Sequence, residues 1–373
     1  MQKINKDSWQ SFSLGDLVEH SKRTVDPSSG EVSRYVAGEH METDQLEISK
    51  WGEIGDGYLG PAFIRRFSVG EVLYGSRRTY LRKLAVADFD GVCANTTLVL
   101  NTKSQEILLQ EFLPFVMSTE SFHAFSIRES KGSVNPYVNW TDLAKYEVLL
   151  PPVSTQKEMS SLLWHFEDHK RKSYIRLYWT KALQSELAKS VFRDLAGEEA
   201  SGRTLVSNLG KVAIVRKGET ITSKTVNPGS IPVVAGGMKA AYYHDSSNRK
   251  GNCLTVSASG ANAGFVNSWE SPIWASDCTT IEVDAKSGLI FEFIHMYMLA
   301  NQDYIYQRLR KGSAQPHVYS SDIEKLRIPI PPIDVQESIV KKNSAISTAL
   351  INIEREIGIQ NRLFRKILQE MIG

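Results

Sequence analysis

A long-range repeat constrains this chain more than any single motif. Residues 132–159 (GSVNPYVNWTDLAKYEVLLPPVSTQKEM) and 312–339 (GSAQPHVYSSDIEKLRIPIPPIDVQESI) align without a gap at an offset of 180, with nine of 28 positions identical. The identities are Gly132/Gly312, Ser133/Ser313, Pro136/Pro316, Val138/Val318, Asp142/Asp322, Lys145/Lys325, Pro151/Pro331, Pro152/Pro332 and Gln156/Gln336. Repetition at this scale means that one architectural unit is built twice. Each copy reads as a Gly-Ser loop followed by a short strand that ends at Pro-Pro. That pair supports neither helix nor ladder, so a new element must begin there.

What begins is a long helix in both copies. Ser154 to about Leu195, and Asp334 to Met371, contain no proline and almost no glycine. In the second copy Ile339, Asn343, Ile346, Leu350, Ile353, Ile357, Gln360, Phe364, Ile367 and Met371 step by four and three, the a/d seam of a coiled coil, and eight of the ten are apolar. The offset places Met159, Leu163, Phe166, Lys170, Ser173, Leu177, Thr180, Gln184, Leu187 and Val191 in the same seam of the first copy, six of them apolar. Polar seam residues fix register at some cost in stability. The expected packing is antiparallel, with the globular parts at opposite ends about an approximate two-fold axis. A helix of about 40 residues rises roughly 60 Å, which suits a spacer.

A chain of 373 residues exceeds what one core usually supports, so two domains are expected. With 42% hydrophobic and 23% charged residues the composition is that of a globular protein. The Gly/Ser-bearing stretch LAGEEASGRTLVSNLG marks the boundary between halves. These readings give an α+β fold with boundaries at 1–153 and 196–333 for two globular domains, and 154–195 and 334–373 for two spacer helices. MQKINKDSWQSFSLGDL carries no apolar signal core and no run suits a membrane span. Cys93, Cys253 and Cys278 form no Cys-x-x-Cys pair, so a reducing, cytoplasmic setting is expected.

Catalytic signatures are weak. Gly55-Asp-Gly57-Tyr-Leu-Gly60 matches a dinucleotide fingerprint formally, but no apolar strand precedes it and no helix follows, so a turn is expected. His165 and His169 are spaced like metal ligands, yet the glutamate of HFEDH is misplaced for His-Glu-x-x-His, which favours a solvated helix face. Glu282, Asp284 and Lys286, with Asp277 upstream, only faintly resemble a nuclease triplet, and a strand entering a turn is the expected reading. There is no phosphate-binding Gly-x-x-x-x-Gly-Lys loop and no Asn/Asp-Pro-Pro-Tyr motif. No metal, cofactor or catalytic residue is expected on this chain.

Net charge is only +2, so any basic surface must be local. Residues 63–86 hold Arg65, Arg66, Arg77, Arg78, Arg82 and Lys83 against the single acid Glu71. Arginine presents a planar fork to phosphate oxygens or to the major-groove edge of guanine. A solvated strand face would have the same composition, and composition alone leaves both readings open. In the second half, residues 211–251 are also basic, and Lys217, Lys224, Lys239, Arg249 and Lys250 are the candidate contacts there. They precede Ser257-Ala-Ser-Gly260-Ala-Asn-Ala-Gly264, where small residues would let backbone approach a ligand.

The doubled order of variable domain, Gly-Ser-x-x-Pro, Pro-Pro, Gln and long helix resembles the specificity subunits of Type I restriction-modification systems over essentially the whole chain. Leu14-Gly15-Asp16 and Leu209-Gly210-Lys211, Tyr35-Val-Ala-Gly38 and Val233-Val-Ala-Gly236, and VLYGSRRTYLRKLAV add to the resemblance. The second half departs from it in carrying SASGANAG, without arginine, where the first has SRRTYLRK.

The resemblance implies two target-recognition domains, each reading half of a bipartite double-stranded DNA site. It implies helices that serve as ruler and as dock for two modification subunits. S-adenosylmethionine, ATP and Mg²⁺ would then act on partner modification and restriction/motor subunits, and this chain would be a non-catalytic member of an adenine-N6 methyltransferase/endonuclease complex. Two other readings remain: a coiled-coil adaptor without sequence-specific DNA binding, and, more remotely, a nuclease around Asp284 and Lys286.

Overall fold

A computed structural model describes residues 6–199, 202, 204–222, 224–312 and 315–373. Ser133 of the repeat is therefore described, while its counterpart Ser313 lies outside the described residues. The contacts divide the chain into two units, Met1–Ile175 with Glu354–Gly373, and Arg176–Ile353.

The first unit contains strands β1 (Gln10–Ser13), β2 (Val18–Ser21), β3 (Arg34–Val36), β4 (Gly52–Glu53), β5 (Phe63–Phe67), β6 (Val72–Gly75), β7 (Leu84–Val86), β8 (Gly91–Ala94), β9 (Thr97–Thr102) and β10 (Glu147–Leu150). Its short helices are α1 (Leu14–Leu17), α2 (Leu113–Met117), α3 (Glu120–Arg128) and α4 (Trp140–Leu143). The sheets run β2-β9-β6-β7 and β4-β3-β8-β5, with β1 and β10 forming a separate antiparallel ribbon. A long helix, α5 (Val153–Glu199), then runs on into the second unit.

The second unit holds β11 (Leu205–Asn208), β12 (Ala213–Lys217), β13 (Pro228–Val234), β14 (Tyr242–His244), β15 (Cys253–Ser257), β16 (Val266–Trp269), β17 (Trp274–Ala275), β18 (Cys278–Val283) and β19 (Arg327–Ile330). Its helices are α6 (Leu209–Val212), α7 (Phe291–Ala300), α8 (Gln302–Tyr304) and α9 (Ser320–Ile323), and α10 (Ile333–Met371) returns to the first unit. The sheets are β12-β18-β15-β16 and β14-β13-β17, again with a separate ribbon, β11-β19. The two four-stranded orders thus correspond strand for strand, and β3-β8 and β13-β17 are the parallel pair of each unit. The repeat therefore reaches well beyond the 28 matched positions.

The matched glycines explain the ribbons. A Cβ on Gly15 would lie 3.0 Å from that of Ala144, and one on Gly210 would lie 2.9 Å from that of Glu324. This close approach lets Gly15 N–H donate to the Ala144 carbonyl at 2.8 Å and Gly210 N–H to the Glu324 carbonyl at 3.0 Å.

Both long helices start directly after the Pro-Pro pair, at Val153 and Ile333, against expected starts of 154 and 334. The first continues to Glu199, beyond the expected end at 195, because LAGEE contains only one weak helix former and no proline. All twenty expected seam positions are buried or partly buried. In the first unit Phe166 stacks on Phe364 at 5.7 Å, and Gln360 bonds His169 and Ser173 at 3.0 and 3.1 Å. In the second, Gln184 bonds Ser347 at 2.9 Å and Asn343 at 3.4 Å. Ser173, Gln184, Asn343 and Gln360 thus find partners on the other helix, as a register device requires, whereas Thr180 bonds the Arg176 carbonyl of its own helix.

Each unit has its own core. Phe112, Phe115, Phe122 and Leu143 pack with Leu163, Phe364 and Leu368 in the first. Leu254, Phe293, Ile294 and Ile323 pack with Phe192 in the second. No helix among the described residues is long and apolar enough to cross a membrane.

Candidate nucleic-acid interface

Around the repeated Gly-Ser-x-x-Pro motif the described residues of both units make matching backbone hydrogen bonds. In the first, Lys131 and Tyr137 exchange hydrogen bonds of 2.7 and 2.9 Å, and Lys131 Nζ pairs with Asp142 at 2.7 Å. Val138 N–H donates to the Ser76 carbonyl at 2.9 Å, and Arg78 N–H donates to the Pro136 carbonyl at 2.6 Å. In the second, Lys311 and His317 exchange bonds of 2.9 and 2.8 Å, Lys311 pairs with Asp322 at 2.6 Å, Val318 N–H donates to Ala258 at 2.9 Å and Gly260 N–H to Pro316 at 3.0 Å. The connection after β6 and the connection after β15 are thereby fastened to the repeated loop in one way. Ser76-Arg77-Arg78 corresponds to Ala258-Ser259-Gly260.

This correspondence exposes a backbone requirement. Gly260 adopts φ +79°, in the left-handed region that glycine reaches freely. Arg78 adopts φ +51° at the matching position, and Arg82, four residues on, φ +50°. An L-residue with a Cβ gives up on the order of 1 kcal/mol in that conformation.

The six basic residues of 63–86 do not act as one patch. Arg82 forms a two-pronged pair with Glu120 at 2.6 and 2.7 Å, which holds the Glu120 carboxyl below its usual range. Arg66 pairs with Glu31 at 2.9 Å, and Lys83 donates to the Gly38 carbonyl. Arg65 is partly buried, with Nε and Nη1 unpartnered among the described residues. Arg77 and Arg78 are exposed, and among the described residues their guanidinium groups have no hydrogen-bond or ion-pair partner.

In the second unit Lys217, Lys224, Lys239 and Lys250 are exposed. Arg249 corrects the expectation. It is 6% exposed, with Nε on Thr280 at 2.9 Å, Nη1 on the Asn248 carbonyl at 2.8 Å and Nη2 on the Lys217 carbonyl at 2.9 Å. Its fork is spent on tying β12 to β18, so it is a structural residue.

Aromatic side chains neighbour these loops, as the aromatic residues within 63–86 lead one to expect in the first unit. Tyr80 and Tyr137 are 52% and 41% exposed in the first unit. In the second, His317 stacks on the half-exposed Tyr319 at 6.3 Å and Lys311 lies over the Tyr319 ring. The pairing of Tyr137 with His317 in the repeat was the available signal. Met238, Tyr242 and Tyr243 also face solvent around the β13–β14 hairpin, whose Gly236 approaches the Ser259 carbonyl so closely that a Cβ would lie 2.8 Å from it.

The sites weighed for catalysis are otherwise occupied. His165 Nδ1 meets the Ser161 carbonyl and His169 Nδ1 meets Gln360, so the second histidine belongs to a helix contact. Glu282 on β18 pairs with Arg216, Asp277 accepts from Ser259, and Asp284 accepts from the backbone of Lys286 in a turn. Residues 54–57 form a turn and bend. Burial pushes the thiols of Cys93, Cys253 and Cys278 up to about 12, so none is a thiolate at neutral pH.

A family model for the Type I restriction modification DNA specificity domain matches residues 6–175 and again 205–363. The chain belongs to that family. Its two matches fall on the two copies of the repeat, so each half is a DNA specificity domain. The specificity subunit of the Type I restriction enzyme EcoDI from Escherichia coli is 27% identical over 156 residues, 42% of this chain and 33% of that protein. The MjaVIII specificity subunit from Methanocaldococcus jannaschii is 24% identical over 112 residues, 30% of this chain and 26% of that protein. The chain thus aligns with about a third or less of the length of these relatives. Among solved structures, the Type I restriction-modification S subunit from M. genitalium matches with a TM-score of 0.59 at 14% identity, covering 100% of this chain and 98% of the other. A chain from a structural study of type I R-M complex assembly and conformational transition matches at 0.54 and 17%, covering 100% and 97%. Both likenesses are in fold.

Proposed function

We propose that this specificity-family chain recognises a bipartite double-stranded DNA target and directs adenine methylation and restriction carried out by partner subunits. The target-recognition domains are residues 1–153 and 196–333, and each reads one half-site. The helices 154–195 and 334–373 form an antiparallel coiled coil that sets the unread gap and docks two modification subunits. Restriction/motor subunits join through that complex. S-adenosylmethionine, ATP and Mg²⁺ act on the partners, and the setting is the cytoplasm.

The observation that carries this reading is the doubling of one loop junction, Arg78 on Pro136 and Gly260 on Pro316, within two matches to a DNA specificity domain. Two similar modules in one chain suit a target with two separate halves. Among the candidate contacts, Arg77, Arg78, Lys217, Lys224, Lys239 and Lys250 have exposed side chains free to meet phosphate or base edges.

The test is to co-express the chain with candidate modification subunits and map methylated adenines across a genome by single-molecule sequencing. A split motif with a fixed gap is expected. A stable complex that leaves DNA unmethylated would replace this reading with the adaptor.

A further inference from the structure

We propose that the residue at the left-handed turn position, Arg78 in the first domain and Gly260 in the second, is specificity-determining, and that Arg78 reads a guanine of the first half-site. This rests on the reading of the chain as a DNA-recognition subunit.

The backbone around the two positions is fastened identically, by Arg78 N–H to Pro136 and Gly260 N–H to Pro316. Backbone geometry therefore does not require an arginine there; the second unit makes the same turn with glycine, which suits the positive φ better. A non-glycine residue kept in a strained conformation points to a use for its side chain.

The neighbouring left-handed arginine shows one such use. Arg82 spends its fork on Glu120 and pins the turn to α3. Arg78 has no such partner among the described residues, and its side chain is exposed. Its fork is free for an external acceptor pair. On DNA the planar pair that arginine matches within the major groove is O6 and N7 of guanine. At the second domain a Cβ on Gly260 would meet nothing within 4 Å, so the side-chain space is open and simply unfilled. The two domains thus share a frame and differ in whether the reading side chain is present.

The experiment uses the full chain in complex with its modification subunits, and reads the methylated motif for wild type, Arg78→Gly and Arg78→Gln. In Arg78→Gly one guanine position of a single half-site should relax by about tenfold or more, with the other half-site unchanged. The thermal midpoint should be equal or higher, because glycine is the better residue at this φ. Arg78→Gln should lose the same guanine preference and move toward adenine, whose N6 and N7 a side-chain amide matches. Uniform loss of methylation with an unchanged motif would identify a phosphate contact and overturn the assignment, as would an unchanged motif at an unchanged rate. Absence of any split motif with the wild-type chain would instead overturn the reading on which the proposal rests.

Discussion

The side-chain amide of Gln156 reaches back to the carbonyl of Pro151 at 2.9 Å, completing a three-point tie with the Ile107 carbonyl at 2.7 Å and the Leu109 N–H at 3.0 Å. Gln336 makes the same tie in the second unit, to Pro331 at 2.9 Å, Gly288 at 2.8 Å and Ile290 N–H at 3.0 Å. Both glutamines are fully buried. Each satisfies three backbone groups where a long helix leaves its domain, which gives the repeated Pro-Pro and Gln a physical reason to recur together.

Replacing either glutamine with alanine leaves those buried groups unpaired. A loss of about 2–4 kcal/mol is expected for each, since a buried orphan costs roughly 1–3 kcal/mol. Urea unfolding of Gln156→Ala and Gln336→Ala measures it. Losses below about 0.5 kcal/mol would mean that water replaces the amide without penalty.

Much of this frame was legible in the sequence because it depends on residues with few alternatives. Pro151 and Pro152 cannot extend the strand before them, and the seam from Ile339 to Met371 keeps its period through Asn343 and Gln360. The correspondence of β2-β9-β6-β7 with β12-β18-β15-β16 was hidden, because VEHS and AIVRK are identical at no matched position while occupying the same edge of the sheet. Charge counting likewise could not separate Arg249, turned inward onto β12 and β18, from the exposed Lys250 beside it. Nor could it foresee that Arg82 meets Glu120, 38 residues away in the chain.

Arg249→Ala should therefore act on stability. It removes three guanidinium hydrogen bonds from a buried position, for an expected cost of about 3 kcal/mol. A lowered thermal midpoint with the salt dependence of DNA binding unchanged is the expected result. An unaltered midpoint with weakened binding would restore Arg249 to the contact set.

The double replacement Arg77→Ala/Arg78→Ala should do the opposite. Both side chains are exposed and unpartnered among the described residues, so the fold loses nothing measurable. DNA affinity should fall, and the slope of log affinity against log salt should shallow by about one, because a phosphate contact by Arg77 contributes roughly 0.9 through counterion release, while loss of the Arg78 contact to guanine lowers affinity at every salt concentration. A salt titration that superposes on wild type would show that the two arginines belong to a solvated face.

His123 makes the first domain sensitive to acid. It is 3% exposed with Nδ1 unpartnered among the described residues, and burial, assisted by Arg82 and Arg365 and opposed by Asp44 and Glu120, lowers it to about 4. The unfolded chain takes up a proton near pH 6.5 while the folded one does not. Stability is thus full above pH 6.5 and falls as pH drops toward 4, by up to about 1.4 kcal/mol per pH unit. His123→Gln removes this component, so its unfolding midpoint should vary less between pH 7 and pH 5 than that of wild type. An equally steep dependence in the variant would place the acid sensitivity elsewhere.

The ruler proposal makes a prediction in length. Two heptads inserted into both α5 and α10 preserve the seam, because seven residues are one full repeat of its pattern. They add about 21 Å at 1.5 Å per residue, the span of about six base pairs at 3.4 Å each. Inserting two residues into each helix instead rotates the seam beyond the insertion by roughly 200° at 3.6 residues per turn and should prevent assembly without changing either domain. The methylated motif of the two-heptad variant should keep both half-sites and lengthen the unread gap. Retention of the original gap by a folded, active complex would mean that something other than these helices sets the spacing.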